Sequence, residues 1–287
     1  MKKLLAIIMS CLTAVACCFA FTACGGAKDV VKIVNVDLSS EQYAFAVKKS
    51  DSTLLNSVNA FLSEKKTEID AIFDKYLDEN ADLTTFGDST IQTTPSGSDN
   101  ELVVATNLDF APFEYTNGSK IAGIDMEIAQ LLANYLNKTL VVVNMEFPAV
   151  VTSVQTIDTY DIGMAGLTIT DERKEQVNFT DAYFGTTQVL VVKVDDTTFD
   201  GLTTAEAVEA KLKSLSGTAA KCGGQKATTS QFYVEGNEDL EFDGFSNLSF
   251  SPYTSAALAI QDMINGNISF VVVDKTTAGA IVKGFNS

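Results

Sequence analysis

The order of apolar and polar positions divides the chain into two patterned regions that are separated by a polar stretch. Before that stretch, two short apolar runs at residues 32–36 and 43–47 predict strands. Apolar stripes at helical spacing predict amphipathic helices over residues 54–62 and 69–77. Residues 78–100 are rich in Thr, Ser, Asp, Asn and Gly, and this composition predicts a linker without a core face.

After the linker, short apolar runs alternate with helical stripes. The predicted strands cover residues 102–106, 140–144, 161–165, 189–194, 219–223 and 269–273, and the predicted helices cover 124–135, 150–156, 205–215 and 256–264. Such alternation is typical of an α/β fold in which mostly parallel sheets carry helices on their faces. Ligands of these folds bind beyond the carboxyl ends of the strands, so the loops at those ends are the candidate site.

The N-terminus has the pattern of an export signal. Lys2 and Lys3 precede an apolar run that extends to about residue 21. The run ends in Phe21-Thr22-Ala23-Cys24, which resembles a bacterial lipobox, the motif whose cysteine becomes the lipidated first residue. We expect an exported protein that is held on the outer face of the cell membrane, or in a periplasm, by a lipid on Cys24. An ordinary signal peptide or an uncleaved anchor is the alternative.

Composition excludes several classes of function. The formal net charge of −17 argues against nucleic acid, because phosphate recognition needs a basic surface. Apart from Cys24, the expected site of the lipid, Cys222 is the one cysteine after the predicted signal, so an internal disulfide and a cysteine metal site are both excluded. The chain has no histidine, which excludes a Ser-His-Asp or Cys-His nucleophile system. We expect no cofactor, no metal and no catalytic residue.

Residues suited to a free amino acid follow the predicted strands. Phe110, Phe147 and Thr168 lie in three successive loops, and Arg173 follows the third. A planar guanidinium can bind both oxygens of a carboxylate, and Asp274, directly after an apolar strand, can bind an ammonium group. Each residue also has a simpler interpretation: Arg173 could be solvated or paired with a neighbouring acid, and Asp274 could cap a helix.

The segment Gly166-Leu167-Thr168-Ile169-Thr170-Asp171-Glu172-Arg173 resembles the Gly-x-Thr-x-Thr-x-x-Arg motif of the polar amino-acid family of solute-binding proteins. This family has the two-lobed type II periplasmic-binding-protein fold and serves ABC transporters. The resemblance implies that Arg173 binds the ligand α-carboxylate, that aromatic residues enclose the ligand side chain, and that Asp274 binds the ammonium group. The segment 225–230 resembles the second-lobe loop, although Ala227 stands where the family usually has Gly.

The resemblance implies one set of ligand-binding residues: Asn107, Phe110, Phe147, Ala165, Gly166, Thr168, Arg173, Gln225, Thr228, Thr229 and Asp274. Relatives for basic ligands resemble one another in carrying Asp at the position of Asn107. We therefore expect a neutral polar amino acid, with cystine and an acidic amino acid left open. The expected partners are this ligand, an ABC permease and the membrane, and the expected state is a monomer.

The resemblance covers nearly the whole mature chain, but in a changed order. Residues 34–49 resemble the closing hinge segment of the family and residues 54–77 its last two helices, yet both precede the rest. We interpret this as a circular permutation, and a truncated copy that pairs between molecules is the alternative. The expected division is 1–23 signal peptide, 24–38 anchor and first part of lobe 2, 39–77 hinge strand and helices of lobe 1, 78–100 permutation linker, 101–187 main part of lobe 1 with the second hinge strand, and 188–287 main part of lobe 2.

The expected function is capture of the amino acid by lobe closure and its delivery to an ABC permease. Three alternatives use the same sequence features. The protein could present the ligand to a receptor as a sensor, it could act as a dehydratase-like enzyme on a cyclic acid, or it could be a surface adhesion protein that binds no ligand.

Overall fold

A computed structural model describes residues 29–287, and the signal sequence and Cys24 lie outside this described part. The strands are β1 (Val31–Val34), β2 (Glu41–Tyr43), β3 (Ala46–Lys48), β4 (Glu101–Thr106), β5 (Asp109–Phe110), β6 (Glu114–Asn117), β7 (Lys120–Ala122), β8 (Thr139–Asn144), β9 (Ile162–Gly163), β10 (Val177–Phe179), β11 (Phe184–Thr186), β12 (Gln188–Lys193), β13 (Lys221–Gln225), β14 (Ser249–Tyr253) and β15 (Phe270–Asp274). The helices are α1 (Ser52–Glu64), α2 (Lys66–Leu77), α3 (Ile124–Tyr135), α4 (Phe147–Thr156), α5 (Asp171–Gln176), α6 (Ala205–Ser214), α7 (Thr229–Glu235), α8 (Ala256–Ile264) and α9 (Lys275–Phe285).

Two five-stranded sheets form two lobes. Lobe 1 has the strand order β10-β3-β9-β4-β8, and lobe 2 has the order β1-β12-β15-β13-β14. In each sheet the last two pairings are parallel and the first two are antiparallel, so the sheets are mixed. The antiparallel part of each sheet contains the strands that lead into or out of the connection between the lobes. Apolar residues on both faces of the sheets supply separate cores for the two lobes.

The chain passes between the lobes twice, and the two passages are paired. β2 and β11 form an antiparallel two-stranded hinge, in which Tyr43 lies opposite Phe184. Beside the hinge, the backbone N–H of Ser39 donates to Thr187 Oγ1 at 3.0 Å, and the N–H of Gln188 donates to Ser39 Oγ at 2.9 Å. These bonds join the two passages into one ribbon, which is the place where the lobes can rotate relative to each other.

The polar stretch at residues 78–100 has a core face, so the prediction of a linker without one is wrong. Leu83, Phe86 and Ile91 are partly buried against the core of lobe 1. Asp88 and Gln92 also make isolated backbone bridges to β7 and β8. The apolar residues are too few and too widely spaced to produce a periodic signal, but each one packs into lobe 1. Residues 78–100 therefore form a strap across lobe 1.

The small sheet β5-β6-β7 was not predicted, because its strands are only two to four residues long. It follows β4 and carries Phe110 and Phe113 over the hinge residue Tyr43, with the ring of Phe113 5.2 Å from that of Tyr43. This sheet places the first loop of the candidate site. In the described part of the chain, no helix is both long and apolar enough to cross a membrane.

Replacing Phe86 with Ala tests the packing of the strap. The Phe86 ring packs edge-on against Tyr76 at 4.8 Å and lies 4.6 Å from the Lys75 ammonium group. We expect the change to lower the free energy of unfolding by about 2 kcal/mol, which is less than a fully buried Phe loses. Chemical denaturation measures this loss. The matched control, Thr93→Ala on the exposed side of the strap, should change little, and equal effects of the two changes would refute the packed strap.

Candidate functional site

Loops from both lobes meet at one narrow cavity. Nine of the eleven residues expected to bind ligand line it: Phe110, Phe147, Gly166, Thr168, Arg173, Gln225, Thr228, Thr229 and Asp274. The first five follow β4, β8 and β9 of lobe 1. Of the other four, Gln225 and Asp274 are the last residues of β13 and β15 in lobe 2, and Thr228 and Thr229 follow β13. The strand ends therefore place the side chains where an α/β fold binds its ligands.

Arg173 is a buried cation at the centre of this cavity. Its Nη1 donates to the Thr168 carbonyl at 2.7 Å, and its Nη2 donates to the Ala227 carbonyl of the opposite lobe at 3.3 Å. The guanidinium carbon lies 5.4 Å from the centre of the Phe147 ring, a cation–π distance. Burial lowers the pKa of Arg173, and the negative charge of Glu41 opposes that shift. Lys174 takes the salt bridge to Asp171, and Arg173 forms no salt bridge within residues 29–287, although the charge of Glu172 on the same helix also favours the ionised guanidinium.

Asp274 lies at the end of β15 and is also buried. It occupies the position before α9, but its side chain makes no capping bond to that helix. Instead its Oδ1 accepts the Tyr43 hydroxyl at 2.5 Å. Burial raises the pKa of Asp274 to about 7, and the nearby Glu41 charge adds to the shift. The carboxyl is therefore directed at the hinge and the cavity, and helix capping does not explain it.

Glu41 connects the hinge to both lobes. Its carboxylate accepts the Thr168 hydroxyl of lobe 1 at 2.9 Å and the Gln188 amide of lobe 2 at 3.0 Å. Gln188 also donates to Thr229 Oγ1 at 3.1 Å and accepts the Ser230 hydroxyl at 2.8 Å. Since both Thr168 and Thr229 line the cavity, this buried network fixes two cavity walls to the hinge.

Four direct contacts join the lobes beside the cavity. Gln225 Nε2 donates to Asn107 Oδ1 at 2.8 Å, and Arg173 reaches Ala227 as described above. On the rim, Lys226 pairs with Glu146 at 2.8 Å, and the Glu172 N–H donates to the Asp239 carboxylate at 3.0 Å. The cavity between these contacts has room for about one water molecule. Entry of an amino acid therefore requires the lobes to separate and these contacts to break.

The remaining two expected residues lie just outside the cavity. Asn107 is behind Gln225 and donates its own amide to the Met145 carbonyl at 2.8 Å. The Ala165 methyl packs in the core of lobe 1 with Ala105 and Val150, so only the backbone of Ala165 can face the cavity. In residues 29–287 there is no group of three or more His, Cys, Asp or Glu side chains that could hold a metal ion.

A family model described as bacterial extracellular solute-binding proteins, family 3, matches residues 102–280. The chain belongs to this family. The match begins just after the strap and includes all eleven expected ligand residues. The resemblance to the polar amino-acid solute-binding family is thereby confirmed.

Several curated relatives of the chain are named for the amino acid that they bind. The arginine-binding extracellular protein ArtP of Bacillus subtilis is 36% identical over 103 residues, which are 35% of this chain and 40% of that protein. A probable histidine-binding protein of Neisseria gonorrhoeae is 28% identical over 184 residues, covering 63% of this chain and 61% of that protein. The chain thus spans between two fifths and about three fifths of the length of these relatives.

Solved structures show the type II two-lobed fold. The holo form of ArgBP from T. maritima matches with a TM-score of 0.54 and 28% identity over 64% of this chain and 74% of that one. An ancestral amino-acid-binding protein that preceded cyclohexadienyl dehydratase matches with a TM-score of 0.55 and 26% identity over 64% of this chain and 74% of that one. The two-lobed α/β fold expected from the sequence is confirmed.

Sequence reasoning missed the polar groups behind the cavity. Glu41 and Gln188 are buried, and they connect to the cavity walls only through contacts between residues far apart in the sequence. A weak signal was present at Glu41, which shares one face of β2 with the buried Tyr43. A charged residue on the buried face of a strand predicts a functional or paired group.

The raised pKa of Asp274 predicts how stability varies with pH. The folded protein keeps this proton up to a pH of about 7, whereas an unfolded chain releases it near pH 4. Between these values the folded state binds more protons, so this group's contribution to stability falls as pH rises. We expect the melting temperature of Asp274→Asn to decline less steeply than that of the parent as the pH rises from about 4 to about 7. If the melting temperatures of the two proteins changed with pH in the same way, the raised pKa assigned to Asp274 would be contradicted.

Proposed function

We propose that the protein is an exported receptor that captures a free amino acid by lobe closure and delivers it to an ABC permease. One observation carries the proposal: a buried guanidinium from lobe 1 and a buried carboxyl from lobe 2, Arg173 and Asp274, line the same cavity. A free amino acid is a zwitterion, and its two charged groups are complementary to these side chains. A ligand that contacts both lobes stabilises the closed form.

Arg173 is suited to the ligand carboxylate because a guanidinium has five N–H donors and two protein carbonyls use only part of them. The Thr168 hydroxyl and the Gly166 backbone lie beside it on the same cavity wall. A Cβ on Gly166 would lie 2.8 Å from the Phe110 ring, and Gly166 has a left-handed φ of +54°. Only glycine therefore allows the backbone at this position to lie so close to Phe110.

The end of the cavity that faces the ligand side chain supports a neutral polar ligand. Phe110 and Phe147 supply apolar surface, and the Asn107–Gln225 pair supplies uncharged amides. The rim carboxylate of Glu146 is neutralised by Lys226. Relatives named for arginine and histidine widen the range to be tested, and an ancestral arginine-binding protein of the same fold has been solved with glutamine bound.

The proposed capture involves no chemical step. We also propose that the protein is exported and anchored by a lipid on Cys24, because residues 1–24 have the pattern of a lipoprotein leader. Delivery to a permease rests on the names of relatives, among them the putative ABC transporter arginine-binding protein 2 of Escherichia coli. A monomer with its lipid on the lobe 2 side of the hinge would leave the cleft free to open.

We further propose that the chain is a circular permutation of the family fold, divided as the sequence suggested. The family match begins at residue 102, yet the preceding segment supplies β1 to the sheet of lobe 2 and β3 to that of lobe 1. The two ends of the described chain are adjacent, since the Val30 N–H donates to Asn286 Oδ1 at 2.9 Å. Adjacent ends allow a chain to be cut elsewhere and rejoined.

A ligand screen tests the receptor function. The parent protein should show a raised melting temperature with one or a few of the common amino acids, glutamine and arginine included, because binding to the folded state alone stabilises it. Mass spectrometry should recover that amino acid unchanged. No shift with any of them, or recovery of a converted product, would contradict the proposal.

Arg173→Ala should weaken binding of the identified amino acid by about 30-fold or more, because truncating a buried charge partner costs roughly 2–5 kcal/mol. Isothermal titration measures the loss, and circular dichroism checks the fold. The matched control is Lys174→Ala, which removes the neighbouring exposed cation of the same helix and should leave affinity as it was. If the two variants bound the amino acid with equal affinity, Arg173 would not be a ligand-binding residue.

Rejoining the chain tests the permutation. A variant that links Ser287 to Val30 by a few glycines and opens the strap at Gly97 restores the family order of elements. We expect it to be monomeric and to bind the same amino acid, since Gly97 has open space around it where new ends can be accommodated. A rejoined chain that is unfolded or that only assembles as a dimer would favour the truncated-copy alternative.

A further inference from the structure

Two fully buried carboxyl groups, Glu114 and Asp125, lie directly behind the candidate site and are not explained by ligand capture. Glu114 comes from β6 and Asp125 from the first turn of α3, and both side chains are inaccessible to solvent. No other part of the described chain holds a carboxyl pair in which both members are completely buried. A pair of buried acids is costly, so its presence requires an explanation.

The two members have different surroundings. Asp125 Oδ2 accepts the backbone N–H of Gly166 at 3.1 Å, and its Oδ1 accepts the Tyr183 hydroxyl at 2.7 Å. Asp125 also lies at the N-terminal end of a 12-residue helix, where the backbone dipoles favour a negative charge. By contrast, neither carboxyl oxygen of Glu114 accepts a hydrogen bond from a donor group, and its hydrogen-bonding neighbour is another carboxyl, that of Asp125. The surroundings therefore stabilise an anion at Asp125 and offer nothing to an anion at Glu114.

The charged and titratable groups around the pair give no cation to balance a second anion. Two other titratable groups face the pair. Tyr183, near the hinge, faces both carboxyls, and Asp274 faces Glu114. Arg173 acts on Glu41 and Asp274 instead. Burial and the Asp125 charge raise the pKa of Glu114 well above its usual range, whereas the pKa of Asp125 rises only to about 6. Two such neighbours cannot both ionise, and Glu114 is the one that keeps its proton.

We propose that Asp125 is a positioning residue for ligand capture, which acts as the ionised partner of a protonated Glu114 and holds the Gly166 loop and the hinge residue Tyr183 together from behind. The functional part of this statement rests on the proposed function. Gly166 lines the cavity, and Tyr183, directly before the hinge strand β11, stacks on Phe45, with ring centres 4.3 Å apart. One carboxylate thus links a cavity wall to the hinge without touching the ligand.

Infrared spectroscopy tests the proton on Glu114. At a pH well above 7, where Asp274 has lost its proton, the parent should still show the C=O stretch of a buried carboxylic acid. Glu114→Gln should remove that band, and Asp161→Asn should keep it. Asp161 is the matched control because it also accepts a backbone N–H in lobe 1, that of Val103, away from the cavity. Absence of the band in the parent, or its persistence in Glu114→Gln, would overturn the assignment.

Amide hydrogen exchange and binding test the positioning role. Asp125→Asn replaces one of the two acceptor oxygens with a donor and removes the charge. It should accelerate exchange at Gly166 and lower the affinity for the amino acid found in the screen by about tenfold or more. Asp161→Asn should do neither, even if it lowers the melting temperature equally. Equal exchange and equal affinity in the two variants would overturn the proposal. If no amino acid binds the parent, the proposed function fails, while Gly166 exchange and the infrared band still decide this proposal.

Discussion

Arg173 is a buried cation that is hydrogen-bonded to carbonyls of both lobes at once, and the arrangement of the cleft depends on it. A buried charge is tolerated only where dipoles and opposite charges replace water. The Thr168 and Ala227 carbonyls supply the dipoles, and Glu41 and Glu172 supply the opposite charge. Because one of the carbonyls belongs to the other lobe, the surroundings of the guanidinium are complete only when the cleft is closed.

The hinge takes part in this electrostatic balance. Glu41 and Tyr43 lie on the same face of β2, where one contacts Thr168 and Gln188 and the other contacts Asp274. Rotation at the hinge therefore moves the groups that stabilise the cavity side chains. Under the proposed function, the charge of the bound ligand is linked to the position of the lobes through these short contacts, and no long pathway is needed to connect them.

The sequence predicts most of this architecture because apolar periodicity reports buried faces directly. The strands and helices predicted after residue 100 lie within a few residues of the observed ones, and the segment from Gly166 to Arg173 supplies three residues of the cavity lining. The elements β10, β11, β14, α5, α7 and α9 are not among those predicted from periodicity. The strap and the sheet β5-β6-β7 were missed because their elements are too short or too sparsely apolar to be periodic. Glu41 and Asp125 were missed because each contacts residues far away in the sequence.

The pairing of Asp274 with the ligand ammonium group is the central claim, and proton release on binding tests it most directly. The free carboxyl has a pKa of about 7, and an ammonium group beside it would favour the ionised form. Titration calorimetry slightly below neutral pH, in two buffers with different heats of ionisation, counts the protons released. The account predicts net release with the parent and its loss with Asp274→Asn. Equal heats in both buffers for the parent would contradict it.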